Sequence, residues 1–91
     1  MAYSRETAVE GARADLAARL GRPEAEVAEE SVEEAEFPNT ALGAPARGEM
    51  SGMMITTGWR IRLKAEGRSY EYRADPNQIR LYNFKGANHK I

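Results

Sequence analysis

The alternation in residues 56–75, TTGWRIRLKAEGRSYEYRAD, constrains this chain more than any other feature. Apolar and polar residues alternate on both sides of Glu66-Gly67, and a period of two residues is typical of strands with one buried face. Two residues ending in glycine suit a tight turn between antiparallel strands. The pattern therefore predicts a β-hairpin over residues 55–74.

The two-residue turn also predicts which residues face each other. The apolar face should pair Leu63 with Tyr70, Ile61 with Tyr72, and Trp59 with Ala74. On the charged face Arg62 should lie opposite Glu71, while Arg60 lies opposite Arg73. Two facing arginines need negative charge nearby, and an adjacent strand of glutamates can supply it.

Residues 5–20 have the signature of an amphipathic helix. Ser4 is a good N-cap, and Gly21 followed by Pro23 ends the pattern. The apolar positions at helical spacing are Val9, Ala12, Leu16 and Leu20. Because this stripe is narrow and rich in alanine, the helix should lie close against a sheet.

Seven glutamates lie between residues 24 and 36. We predict an acidic edge strand over residues 30–37, since charge on an edge discourages pairing with other chains. A helix is the alternative, because glutamate and alanine are strong helix formers. Residues 23–57 carry eight glutamates and one arginine, whereas residues 58–91 carry eight basic and three acidic groups. Neutralisation between neighbouring strands is favoured over two separate charged partner surfaces.

The chain after the hairpin is short. Asp75-Pro76 begins a turn, and a last strand is predicted over about residues 78–83, followed by a frayed tail at 84–91. The predicted fold class is α+β, with one N-terminal helix packed on a three- to four-stranded antiparallel sheet in a single domain, 1–91. The core should contain Trp59, Ile61, Leu63, Tyr70, Tyr72, Val9, Leu16 and Leu20.

Residues 38–54 form a long loop without strand or helix periodicity. Loops of this length are usually functional or disordered. Leu42 should anchor the loop to the domain, and its tip, residues 44–51, should be mobile. Met50, Met53 and Met54 suit either core filling or an adaptable binding surface, and core filling is favoured. The candidate partner contacts are Leu42, Arg47, Met50 and Met53.

The sequence offers little for catalysis. It has no cysteine, and its one histidine, His89, falls in the predicted tail. Neighbouring glutamates such as Glu33 and Glu34 point to opposite faces of a strand and cannot share a metal or a proton. We therefore predict no enzyme activity, no catalytic residue, no metal site and no cofactor. The N-terminus lacks the apolar run of a signal peptide, which predicts a cytoplasmic protein.

The charged face of the hairpin could bind an anion. The candidate contacts are Arg60, Arg62, Lys64 and Arg73. A nucleic-acid surface would place its aromatic side chains among these charges, whereas the alternation places Tyr70 and Tyr72 on the opposite face. A solvated face balanced by the acidic strand is therefore favoured, and anion or nucleic-acid binding is the alternative.

Three motifs in this order resemble a group of small uncharacterised bacterial proteins. They are LAARLG at residues 16–21, an LG-x-P element at 42–45, and GWRIRLKAEGRSYEYRAD at 58–75. The resemblance covers about residues 10–82 and implies one helix on an antiparallel sheet. The helix followed by three strands also resembles a PepSY-like unit, a type of module that binds or restrains peptidases.

These observations predict a small non-catalytic protein-binding or regulatory module. Its partner should be another protein, reached through the 38–54 loop, and the chain itself should be a monomer or a homodimer. No membrane contact is expected.

Overall fold

The computed structural model describes residues 2–91. It contains α1 (Arg5–Leu20), a short 3-10 turn (Glu24–Glu26), β1 (Ala28–Phe37), β2 (Thr56–Ala65), β3 (Arg68–Asp75), β4 (Gln78–Phe84) and β5 (Ala87–Lys90). The strands form one antiparallel sheet in the order β1-β2-β3-β4-β5. The predicted α+β class with an N-terminal helix is confirmed, but the sheet has five strands rather than three or four.

Local hydrogen bonds define both ends of α1. The Ser4 hydroxyl accepts the Thr7 N–H at 3.2 Å, and the Thr7 hydroxyl accepts the Ser4 N–H at 2.7 Å. This reciprocal cap satisfies two N–H groups that a helix start leaves free. At the other end Gly21 takes a left-handed conformation, and the Arg22 N–H bonds to the Ala17 carbonyl at 2.9 Å.

The helix packs on one face of the sheet and buries the main core there. Its fully buried members are Ala8, Ala12, Leu16, Val27, Ile61, Leu63, Tyr72, Ala74, Ile79 and Leu81. Trp59, Tyr70 and Leu20 pack against this core but stay partly exposed. Tyr72 also donates its hydroxyl to Asp15 on α1 at 2.7 Å, which ties the helix to the sheet.

The predicted register of the hairpin is confirmed. Leu63 pairs with Tyr70, Ile61 with Tyr72, Trp59 with Ala74, Arg62 with Glu71, and Arg60 with Arg73. Glu66 and Gly67 both have positive φ, 54° and 75°, as a two-residue hairpin turn requires. The glutamate segment is a strand that pairs with β2, so the helical alternative for it is wrong.

The predicted frayed tail is wrong, because β5 pairs with β4. Lys85 and Gly86 have φ of 53° and 83°, so they form a second tight turn of the kind that Glu66-Gly67 makes. Asn83, at φ 51°, interrupts the alternation of β4 and returns Phe84 to the helix face, where it packs against the core.

The other face of the sheet carries a second, smaller buried cluster. Residues 38–55 fold back over this face, and Phe37, Ala41, Leu42 and Ala44 are all at most 1% exposed. Ala44 was predicted to begin the mobile tip of the loop, yet it lies in this cluster. α1 therefore covers one face of the sheet, and this loop covers part of the other.

Candidate functional site

The predicted anion-binding arginines lie within a network of ion pairs. Glu71 is at its centre, with carboxylate oxygens 2.7 Å from Arg73, 3.4 Å from Arg60 and 3.8 Å from Arg62. Glu33 on β1 lies 3.5 Å from Arg60 and 3.8 Å from Arg62. Three of the four predicted residues are thus brought together, and two glutamates neutralise most of their charge.

Arg73 is the least accessible of the four. Its Nη1 donates to the Leu42 carbonyl at 3.0 Å, and its guanidinium lies 3.8 Å from the centre of the Tyr82 ring. Lys64 is exposed, and within residues 2–91 it makes no ion pair. The face presents one free lysine beside a network of three arginines and two glutamates, not an open row of positive charge.

Arg80 is a buried arginine on β4 that was not among the residues singled out from the sequence. It is 2% exposed. Its Nε donates to Gln78 at 2.7 Å, its Nη1 donates to the Ala44 carbonyl at 3.3 Å, and both terminal nitrogens donate to Glu49, with Nη2 at 2.6 Å. Arg80 therefore fastens the loop to β4.

Glu49 is the loop residue that accepts the hydrogen bonds of Arg80. The hydrogen bonds from Arg80, followed by the bond from the Ala46 N–H, lower the pKa of Glu49 from 4.5 to about 2. The carboxylate is consequently charged at every ordinary pH, and it accepts bonds from its own loop and from the sheet together.

We expect the contribution of Glu49 to stability to disappear in acid. Since its folded pKa is lowered, that contribution is complete above about pH 4.5 and is lost as the pH falls towards 2. Urea unfolding of the native protein and of Glu49→Gln should therefore differ most at neutral pH and converge between pH 4.5 and 2. An unfolding difference that stays constant over this range would contradict the assignment.

Further bonds hold the base of the loop. The Gln78 side chain donates to the Thr40 carbonyl at 2.8 Å, and Thr40 and Gly52 bond to each other twice, at 3.0 and 2.7 Å. The Asn39 side chain accepts the N–H groups of Ala41 and Gly43 at 3.0 and 2.9 Å. The loop is closed at its base and has one defined path across the sheet.

The end of this anchored loop exposes four large apolar side chains. Met50 is 96% exposed, Met53 95%, Met54 68% and Ile55 68%. The favoured prediction that the methionines fill the core is therefore wrong. We call residues 50–55 the methionine segment. Of the predicted partner contacts, Met50, Met53 and Arg47 lie at the surface, whereas Leu42 is fully buried.

Among residues 2–91 no three His, Cys, Asp or Glu side chains are close enough together to hold a metal ion. Burial, followed by the hydrogen bond to Asp15, raises the pKa of Tyr72 above its ordinary value, so this hydroxyl is held as a structural donor. His89 lies beside Phe84, with ring centres 6.0 Å apart. In the same part of the chain, no helix is both long and apolar enough to cross a membrane.

Comparison with known proteins identifies one family. No curated protein and no solved structure matches the chain. The family model described as a domain of unknown function, DUF8738, matches residues 9–82. That range begins inside α1 and ends inside β4, so it contains most of the helix together with β1, the loop and the hairpin. The chain therefore belongs to the DUF8738 family.

Proposed function

We propose that this protein is a non-catalytic protein-binding module whose partner contacts the methionine segment. One observation carries the proposal: four large apolar side chains are 68–96% exposed at the end of a loop whose other large apolar residue, Leu42, is buried and which is bonded to the sheet. The cytoplasmic location, the lack of enzyme activity and the PepSY-like character predicted from the sequence belong to the same proposal.

The cost of this exposure supports the proposal. A domain of 91 residues buries a limited core, so each large apolar side chain matters to its stability. Covering one such side chain is worth about 1.5–3 kcal/mol. Methionine is flexible and polarizable, and it suits surfaces that adapt to a partner. A partner protein would bury the apolar side chains of the methionine segment, which remain exposed after folding.

The anion-binding alternative has less support. Glu33 and Glu71 already pair with Arg60, Arg62 and Arg73. A phosphate chain would have to compete with these carboxylates, and of the four candidate residues only Lys64 has no ion pair within residues 2–91. Binding driven by phosphate contacts would also weaken steeply as salt is added.

Site-specific photo-crosslinking in cells of the native host tests the proposal. A benzophenone side chain at position 53 should give a discrete adduct with one partner protein. The same side chain at position 68, which is also exposed but lies in the β2–β3 turn region, serves as the matched control and should give none. Met50→Gln with Met54→Gln, added to the position 53 variant, should reduce the adduct by about tenfold, because about 1.4 kcal/mol of contact corresponds to that factor.

Three results would contradict the proposal. They are the absence of an adduct from position 53, equal adducts from positions 53 and 68, and an adduct of two copies of this chain alone. The last result would assign the methionine segment to a homodimer. Circular dichroism of each variant shows whether the fold is retained, and the exposure of the substituted side chains gives the reason to expect that it is.

A further inference from the structure

β1 lies at one edge of the sheet, and the β2–β3 turn shows which of its backbone groups point outward. In a two-residue hairpin the residues that flank the turn, Ala65 and Arg68, bond to each other. Every second residue of β2 from Ala65 therefore points its N–H and C=O to β3, and the residues between, such as Arg60, point theirs to β1. Arg60 pairs with Glu33, so Glu33 points inward and its neighbours on β1 point outward.

The residues of β1 whose backbone N–H and C=O groups point outward are Val32, Glu34 and Glu36. Arg5 of α1 donates to the Val32 carbonyl at 3.0 Å, which agrees with this orientation and covers the edge at that point. Arg13 bonds to the Val27 carbonyl at 3.1 Å and fastens the chain just before β1. No group within residues 2–91 bonds to the outward N–H and C=O of Glu34 and Glu36. Arg5 thus covers the edge at Val32, whereas the second half of the edge, at Glu34 and Glu36, is open.

Charge decides which kind of strand this open half can accept. Glu34 and Glu36 are exposed, and within residues 2–91 neither lies within ion-pair distance of a cation. An antiparallel second copy would bring its own glutamates against them, and facing like charges are unfavourable. A strand with lysine or arginine at alternate positions would meet both carboxylates.

β2 shows this complementarity on the inner side of β1. It places Arg60 opposite Glu33 and Arg62 opposite Ser31, and the Glu33 carboxylate lies within 3.8 Å of both arginines. We propose that residues 33–37 accept an extended basic segment of the partner protein as a sixth strand, with basic side chains facing Glu34 and Glu36. This inference rests on the proposed function, because Phe37 pairs with Thr56, directly after the methionine segment, and one partner can reach both.

Binding of a designed peptide tests this inference directly. The probe is Ac-TKVKVKT-amide, whose lysines would face Glu34 and Glu36 while the valines lie beside Ala35 and Phe37. Hydrogen exchange followed by NMR should show the amides of Glu34 and Glu36 slowed at least about tenfold when the peptide is bound, since free edge amides exchange readily. The acidic analogue Ac-TEVEVET-amide should produce no such protection.

Charge reversal supplies the matched control. The variant Glu34→Lys with Glu36→Lys should bind Ac-TEVEVET-amide and lose at least about tenfold in affinity for Ac-TKVKVKT-amide. Because the variant is tested with a peptide that it should bind, binding itself shows that it has folded. Glu36→Pro removes one outward N–H at a position where an edge strand tolerates proline. In the native protein this change should weaken binding of Ac-TKVKVKT-amide.

Lack of protection at Glu34 and Glu36, protection confined to β5, or an unchanged peptide preference after charge reversal would overturn the inference. The crosslinking test separates it from the proposed function. If position 53 still captures the partner in the charge-reversed variant, the methionine segment is a contact and the sixth strand is not. If the peptide protects β1 while position 53 captures nothing, the edge binds and the methionine segment does not.

Discussion

Gly58→Ala is expected to destabilise this protein by about 3 kcal/mol, although it adds one methyl group. Gly58 is buried on β2, and a Cβ at this position would overlap the carbonyl oxygen of Ala74 on β3. It would also lie 3.1 Å from the Ala74 carbonyl carbon and 3.2 Å from the Asp75 Cβ. Because the obstacle is backbone, no change of side-chain rotamer can relieve it, and the two strands must separate.

The matched control is Gly11→Ala. A Cβ at Gly11 would lie 2.8 Å from Cδ1 of Ile79, the flexible end of a side chain that can turn aside. Alanine also stabilises a helix interior by about 1 kcal/mol relative to glycine, which offsets the crowding. Urea unfolding should therefore show a much lower midpoint for Gly58→Ala than for Gly11→Ala. Equal midpoints would show that β2 and β3 do not approach as closely as described.

Glu49→Ala is expected to cost about 3 kcal/mol because it leaves a charged guanidinium buried without its counter-ion. Arg80 is 2% exposed, whereas the Glu49 side chain is 25% exposed and can turn towards water. Arg80→Met should therefore cost less, about 1–2 kcal/mol, since it removes the buried charge and keeps an apolar stem of similar length. The change at the more exposed residue should therefore have the larger effect.

A double-mutant cycle measures this asymmetry. Once Arg80 is methionine, the further change Glu49→Ala should cost less than about 0.5 kcal/mol, because the carboxylate then has no buried partner to neutralise. Unfolding free energies of the four proteins at neutral pH give the coupling. If Glu49→Ala costs the same in both backgrounds, the two residues act independently and Arg80 does not hold the loop through Glu49.

Local patterns accounted for the helix and the hairpin. The N-cap at Ser4 and the end at Gly21 depend on residues within a few positions of one another, and so does the Glu66-Gly67 turn. A two-residue turn then determines the whole register of β2 against β3, since each pair follows from the one before it. These elements could be predicted because their causes lie close together in the chain.

The short strand β5 was missed although a similar signal was present. Lys85-Gly86 makes the same kind of turn as Glu66-Gly67, but the residues after it, ANHKI, show no alternation. Asn83 adds an irregular residue and shifts Phe84 to the helix face. β5 depends mainly on pairing with an edge of β4 that the rest of the sheet has already formed.

The candidate site was predicted only in part. Met50 and Met53 were named as contacts, but their near-complete exposure could not be known from residue type, since methionine suits both a core and a surface. Leu42 was named with them and is buried. Residues 30–37 were predicted as an edge strand, and β1 is at an edge of the sheet, but neither this edge nor Met54 and Ile55 were named as contacts. Exposure and unpaired backbone depend on what else in the chain covers them.

The sequence by itself determined the helix, the hairpin and its register, and the acidic and basic strands that neutralise each other. Each follows from periodicity, caps and turns, which act over short distances along the chain. Only the tertiary structure decided the path of the 38–55 loop, the burial of Arg80 against Glu49, and which backbone groups of the β1 edge stay open. Those outcomes depend on contacts between residues about thirty positions apart, where burial and pairing with distant groups outweigh local preference.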